Sequence, residues 1–248
     1  MPRLDHLSAD QRSALDGATS FVEDRYTPWA ILAAGTIVRG ESDPNSDIDL
    51  YVLHDSPFRQ RVQRRFAGVP VEIFVNTEAS VSGYLKSEEA NGHLSTAHML
   101  ATGVALKGGS DPRLGKLRER ARSSLSSRPT WTELDLIRER YAAATQIEDA
   151  IDRLRADPET AMRLLGRGVD ASLSYWYKKQ GVFIPRQKEI VARVVEHDGE
   201  LDRLFRQFWG DHPYSARWEA GMEVADRILG TRGFFEWESE REPIASSV

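Results

Sequence analysis

The sequence predicts an α+β fold, a small mixed β-sheet unit followed by an all-α helical bundle. Three observations carry that reading. Up to about residue 123, short apolar runs of strand type alternate with helical patterns. The stretch "RSSLSSRPT" (122–130) is rich in Ser, contains a Pro and reads as a linker. Beyond it the strand signals stop, and apolar residues recur at intervals of three and four. The expected domains are therefore residues 1–127 and 128–248.

Taken in order, Ser8 with Gln11 three residues later has the form of a capping box. It opens a helix that carries Ala14, Leu15, Ala18, Phe21 and Val22 on one side. "WAILAA" (29–34), "IDLYVL" (48–53) and "VEIFVN" (71–76) are strands that should lie beside one another, and "VALKG" (104–108) is a weaker fourth. Helices are expected over 57–66, 78–90 and 112–122. In the second half, Thr130 and Glu133 form a capping box for a helix that ends before Pro158. Further helices are expected over 159–180, 186–197, 199–209 and 214–230, with breaks at Gly or Pro.

Composition limits the function classes. With 40% hydrophobic and 29% charged residues the chain is globular in type. A net charge of −5 argues against a broad nucleic-acid footprint, so no nucleic-acid partner is expected. The absence of cysteine rules out thiolate metal sites, disulfides and cysteine nucleophiles. No run approaches the roughly 18 apolar residues of a membrane span. The start "MPRLDHLSAD" lacks a signal-peptide core, so no membrane association and a cytoplasmic setting are expected.

The conspicuous feature is "AAGTIVRGESDPNSDIDLYVL" (33–53), where Asp47 and Asp49 stand two apart at an apolar strand. Spacing alone decides nothing, since 38 acids in 248 residues give roughly 6 acid-x-acid pairs by chance. Context is informative. Residues i and i+2 of a strand point the same way, so the two aspartates share a face while Ile48, Leu50 and Val52 fill the other. Side by side they repel and stay ionised together only around a cation. Oxygen-only ligands suit Mg²⁺. Glu72, a charged residue inside the β-rich "VEIFV", would join them from a neighbouring strand. Three such carboxylates can hold two metal ions about 3.5–4 Å apart.

The preceding turn fits a phosphate. Gly35 and Thr36 follow a strand and precede what reads as a short helix, whose free N–H groups attract anions where a small residue permits close approach. Thr36 and Ser46 add hydroxyl donors, and Arg39 adds a fixed positive charge. No Gly-Lys-Ser/Thr run follows Gly35, which speaks against a P-loop.

Gly35-Thr36, then Asp47-Ile48-Asp49, then Glu72 in a following strand resembles the motif of the DNA polymerase β-like nucleotidyltransferase superfamily. The words "SDIDLYV" are similar to its bacterial aminoglycoside nucleotidyltransferases of the streptomycin/spectinomycin and kanamycin type, which also carry a helical C-terminal domain. The motif-level likeness covers roughly residues 30–76. Thr36 departs from the usual Ser but keeps the hydroxyl. The resemblance implies a Mg²⁺-dependent adenylyltransferase with two Mg²⁺ ions on Asp47 and Asp49. Gly35, Thr36 and Ser46 would hold the triphosphate of ATP, and Glu72 would be the third metal ligand or the base. The acceptor would be a hydroxyl of a small molecule, such as an aminoglycoside in antibiotic resistance. The alternative is a nucleotidyltransferase of the toxin–antitoxin kind acting on a protein partner.

The acceptor side is less legible. Glu133, Asp135, Glu139 and Glu148 of the helical half are the acids expected to attract a polycation. The aromatics of "YWYKK" (175–179) are expected in the bundle core more than in a stacking platform.

Overall fold

The structure is a computed structural model and describes residues 4–40, 46–239 and 241, with the Arg39 side chain outside the description. The chain divides into two compact units, residues 1–127 and 128–248.

The first unit begins with helix α1 (Ala9–Tyr26), which starts where the sequence signals it. The Ser8 Oγ accepts from the Gln11 N–H at 3.2 Å, and Gln11 Oε1 accepts from the Ser8 N–H at 2.9 Å. Five strands follow, β1 (Ala30–Ala34), β2 (Ile48–Leu53), β3 (Gln60–Phe66), β4 (Val69–Asn76) and β5 (Val104–Lys107), in the sheet order β3-β4-β2-β1-β5. β2 is parallel to β4 and antiparallel to β1, so the three strands singled out in the sequence are neighbours in a mixed sheet. Alternation sends Ile48, Leu50, Val52, Val71, Ile73 and Val75 to one face, where they pack with Ile31, Ala33 and the Ala14, Leu15, Ala18 and Val22 stripe of α1. Helices α2 (Glu78–Asn91), α3 (Ser95–Thr102) and α4 (Pro112–Ser126) complete the unit.

Three expectations for this half are corrected. Residues 57–66 are not helical. Over 60–66 they form β3, paired with β4 through a tight turn in which Ala67 (φ 45°) and Gly68 (φ 80°) are both left-handed, the geometry a two-residue hairpin needs. The segment after Gly35 is a single 3₁₀ turn (Ile37–Arg39), too short for a helix dipole. Helix α3, absent from the sequence reading, is held by Glu88, whose carboxylate accepts from the Thr96 N–H at 2.7 Å and the Ala97 N–H at 3.3 Å.

Among its described residues the second unit has helices and connecting turns but no strand, with α5 (Glu133–Arg153), α6 (Pro158–Lys179), α7 (Gly199–Trp209) and α8 (Tyr214–Leu229). α5 and α6 approach closely because Gly168 has no side chain. A Cβ there would stand 2.3 Å from Ile147 Cδ1. The cap of α5 is Thr132 with Asp135, not Thr130 with Glu133. Thr132 Oγ1 accepts from the Asp135 N–H at 3.1 Å and Asp135 Oδ2 accepts from the Thr132 N–H at 2.9 Å. Residues 186–197 form turns and a 3₁₀ segment (Val194–Glu196) instead of a helix. Tyr177 Oη donates to the Ile190 carbonyl at 2.9 Å, the acceptor that a continuing helix would present to residue 194. Tyr175, Trp176 and Tyr177 lie in the core, as the sequence suggested. Among the described residues no helix is long and apolar enough to cross a membrane.

Candidate functional site

The register of the sheet builds the site. Asp49 of β2 stands opposite Ala34 of β1 on one side and Glu72 of β4 on the other, and Glu72 stands opposite Gln63 of β3. Ala34, Asp49, Glu72 and Gln63 therefore form one row across four strands. The row points away from α1, because the alternate residues of β2 and β4 fill the core against that helix. Asp47, one step before β2, joins the same face. Carboxylate oxygens of Asp47, Asp49 and Glu72 all lie within 4.8 Å of one another. Six-coordinate Mg²⁺ holds its oxygens at about 2.1 Å, so two of its ligands are at most about 4.2 Å apart. Any three ligands of an octahedron include at least two adjacent pairs, about 3.0 Å apart, so the three acids would have to close by up to about 1.8 Å to meet one ion; the donor set, oxygen only, is the kind Mg²⁺ takes.

Gly35 ends the row at β1. Its φ is +85°, which favours glycine, and a Cβ at this position would stand 2.5 Å from Asp49 Oδ2. The absence of a side chain is what lets the backbone and the carboxylate share this space. Beside it, the Thr36 hydroxyl donates to Ser46 Oγ at 3.4 Å, so the two predicted hydroxyls are neighbours. Arg39, also predicted for the phosphate, has its side chain outside the described residues.

Sequence reasoning missed the support of Glu72. Its Oε1 accepts from Arg61 Nε at 2.7 Å, from Arg61 Nη2 and from Gln63 Nε2 at 2.7 Å. Three donors on one oxygen fix the carboxylate and leave Oε2 as the atom able to take a proton or a cation. The available signal was the alternation of Arg61, Gln63 and Arg65 in "QRVQRRF", hidden by the helical assignment of that stretch.

The helical acids proposed for a polycation are partly engaged in their own unit. Asp135 caps α5, and its carboxyl is held below the usual range by the Thr132 hydroxyl and N–H. Glu139 accepts from Lys178, a buried lysine whose ammonium stands 5.7 Å from the Trp131 ring centre.

No protein-family model matches the chain, and no curated protein matches it. Among solved structures it is similar to a nucleotidyltransferase-like protein from Exiguobacterium sibiricum 255-15, with 14% identity and a TM-score of 0.52 over 87% of this chain and 74% of that one. At that identity the likeness concerns the fold alone, and the fold is nucleotidyltransferase-like.

Proposed function

We propose that the protein is a Mg²⁺-dependent nucleotidyltransferase that moves a nucleoside monophosphate, AMP from ATP, onto a hydroxyl of a small molecule and releases pyrophosphate. The observation that carries this is the convergence of Asp47, Asp49 and Glu72 to within 4.8 Å beside a glycine turn, on a sheet of nucleotidyltransferase-like topology. An ATP-consuming reaction of this kind belongs in the cytoplasm. The aminoglycoside assignment rests on the resemblance of "SDIDLYV" alone.

The chain's own residues would work as follows. Gly35 lets the triphosphate approach the backbone, and Thr36 and Ser46 offer hydroxyl donors to it. Asp47 and Asp49 would hold two Mg²⁺ ions, with Glu72 at the edge of the same cluster. Bound there, the metal supplies the positive charge that offsets the phosphates and the charge developing on the leaving group. The acceptor oxygen forms a bond to the α-phosphorus, and the bond from that phosphorus to the bridging oxygen breaks. Its electron pair leaves with pyrophosphate. The hydroxyl proton passes to Glu72 Oε2, which Arg61 and Gln63 hold in place through Oε1.

Two measurements test the reading. ATP should raise the melting temperature only with Mg²⁺ present, because uncompensated phosphates would face Asp47 and Asp49. Equal shifts with and without the metal count against it. ATP labelled at the α-phosphate, incubated with Mg²⁺ and a panel of hydroxyl compounds that includes aminoglycosides and lincosamides, should yield a labelled product and pyrophosphate. The same reaction run with GTP and CTP identifies the base.

A further inference from the structure

On the acid face of the sheet, two residues further along β2 and β4, lies a cavity of about 590 Å³. Tyr51 follows Asp49 and Phe74 follows Glu72, each on the same face and roughly 7 Å onward. These two rings, with Tyr84 of α2 and Met99 of α3, form apolar walls, and Arg59 and Arg61 stand among them. The volume is that of a site for a small organic molecule. Sheet order fixes its relation to the phosphates. Gly35 and Thr36 leave β1 on one side of Asp49, whereas the cavity extends over β4 and β3 on the other. An occupant would reach the acids from the side of Glu72, opposite the glycine turn.

The chemistry of the walls narrows the occupant. The Tyr51 and Phe74 rings lie nearly parallel, 6.2 Å apart with 21° between their planes; Tyr51 is fully buried behind the cavity, so the half-buried rings of Phe74 and Tyr84 are the ones open to a flat ring. The Tyr51 hydroxyl is itself shut off from the cavity, beside the Thr96 side chain, and burial pushes this phenol well up from its ordinary value. The guanidinium of Arg61 stands 4.9 Å from the Phe74 ring centre. That of Arg59 stands 5.6 Å from Tyr84's and donates to the Tyr84 hydroxyl. The one acid among the lining residues, Glu88, has its carboxylate engaged by the Thr96 and Ala97 N–H groups. The cavity therefore presents cations and rings, a poor receptor for a polycation.

Resting on the nucleotidyltransferase reading, we infer that this cavity seats the acceptor, and that the acceptor is a flat-ringed hydroxyl compound bearing an anionic group. The ring lies against Phe74 and Tyr84, and the anion meets Arg59. Its reacting hydroxyl faces Glu72.

The test is equilibrium binding by calorimetry and saturation-transfer NMR, with neither ATP nor metal present. The probes are 3-(4-hydroxyphenyl)propionate, tyramine, which has a similar ring with a cationic tail, and kanamycin. The carboxylate should bind tightest and kanamycin weakest. Arg59→Gln should weaken the carboxylate about fivefold and leave tyramine unchanged or tighter. Kanamycin binding tightest, no measurable binding of the carboxylate, or indifference to Arg59→Gln overturns the inference. The two readings fail separately. Mg²⁺-dependent stabilisation by ATP without carboxylate binding removes the cavity assignment alone, and carboxylate binding without any ATP effect removes the transferase reading.

Discussion

Replacing Gly35 with Ala puts two costs on the site, and they can be separated. The first is backbone strain. At φ +85° an L side chain costs about 1–2 kcal/mol. For a unit of this size that is roughly a 3–8 °C fall in melting temperature. The second is a collision. The new Cβ would stand 2.5 Å from Asp49 Oδ2 and 3.3 Å from its Cγ, so reaching an ordinary contact of 3.4 Å drives the carboxylate back by about 0.9 Å. A displacement near 1 Å in a group that positions reacting atoms costs on the order of a hundredfold in rate. Gly68 is the control. Its φ is +80°, and nothing lies within 4 Å of its would-be Cβ. Gly68→Ala should therefore melt as early as Gly35→Ala yet keep its affinity for Mn²⁺, used as a Mg²⁺ surrogate, and its nucleotide turnover. Gly35→Ala should lose both. If the two variants melt alike and also bind metal and turn over alike, the Gly35–Asp49 contact has no part in the chemistry and the reasoning fails.

Three further outcomes are expected. Asp49→Asn should hold or raise the melting temperature of the metal-free protein by relieving repulsion with Asp47, while lowering turnover at least about a hundredfold; early melting with activity falling only in proportion would assign Asp49 to structure. Burial pushes the Glu88 carboxyl up from its ordinary 4.5, so the folded chain holds this proton more tightly than the unfolded chain. The resulting stability is complete below about pH 4.5 and is lost as pH rises through the folded value. Urea midpoints should thus show wild type losing ground to Glu88→Gln as pH rises above about 4.5, and a constant difference contradicts this. Gly168→Ala forces a methyl to within 2.3 Å of Ile147 Cδ1, so it should destabilise the helical unit by about 1–3 kcal/mol in urea. The Mg²⁺-dependent heat shift with ATP should survive in that variant, because its proposed ligands all lie in the first unit.

What could be read from the sequence was whatever burial writes into it. β2 and β4 are apolar runs because one face packs against α1 and the other is at least half-buried, and against that background Asp49 and Glu72 stand out as charges that must have a reason. β3 is an edge strand, largely exposed, and its charge guards an open edge. Arg61, Arg64 and Arg65 fall three and four apart and imitate a helical face, while the Ala67-Gly68 turn lacks the Asn or Asp that would announce a hairpin. Missing β3 also hid Arg61 and Gln63, the residues that hold Glu72. The cavity was out of reach for a different reason. Its walls come from β2, β3, β4, α2 and α3, and no periodicity links Tyr51 to Met99.

The same limit governs the question of the acceptor. An acid counts as a receptor for a cation only if its charge is unanswered within the fold, and answering groups are remote in sequence. Glu139 meets Lys178 from 39 residues away, and Glu88 meets the start of α3 from 8. Read along the chain, such acids make a polycation plausible. Placed in the fold, Asp135, Glu139 and Glu88 are engaged, and the first unit holds a ringed cavity whose arginines include Arg61, the partner of Glu72. The acceptor's charge is therefore the property on which the two readings divide. A single titration of the metal-free protein with the propionate and with kanamycin decides it, because one sign of charge must lose.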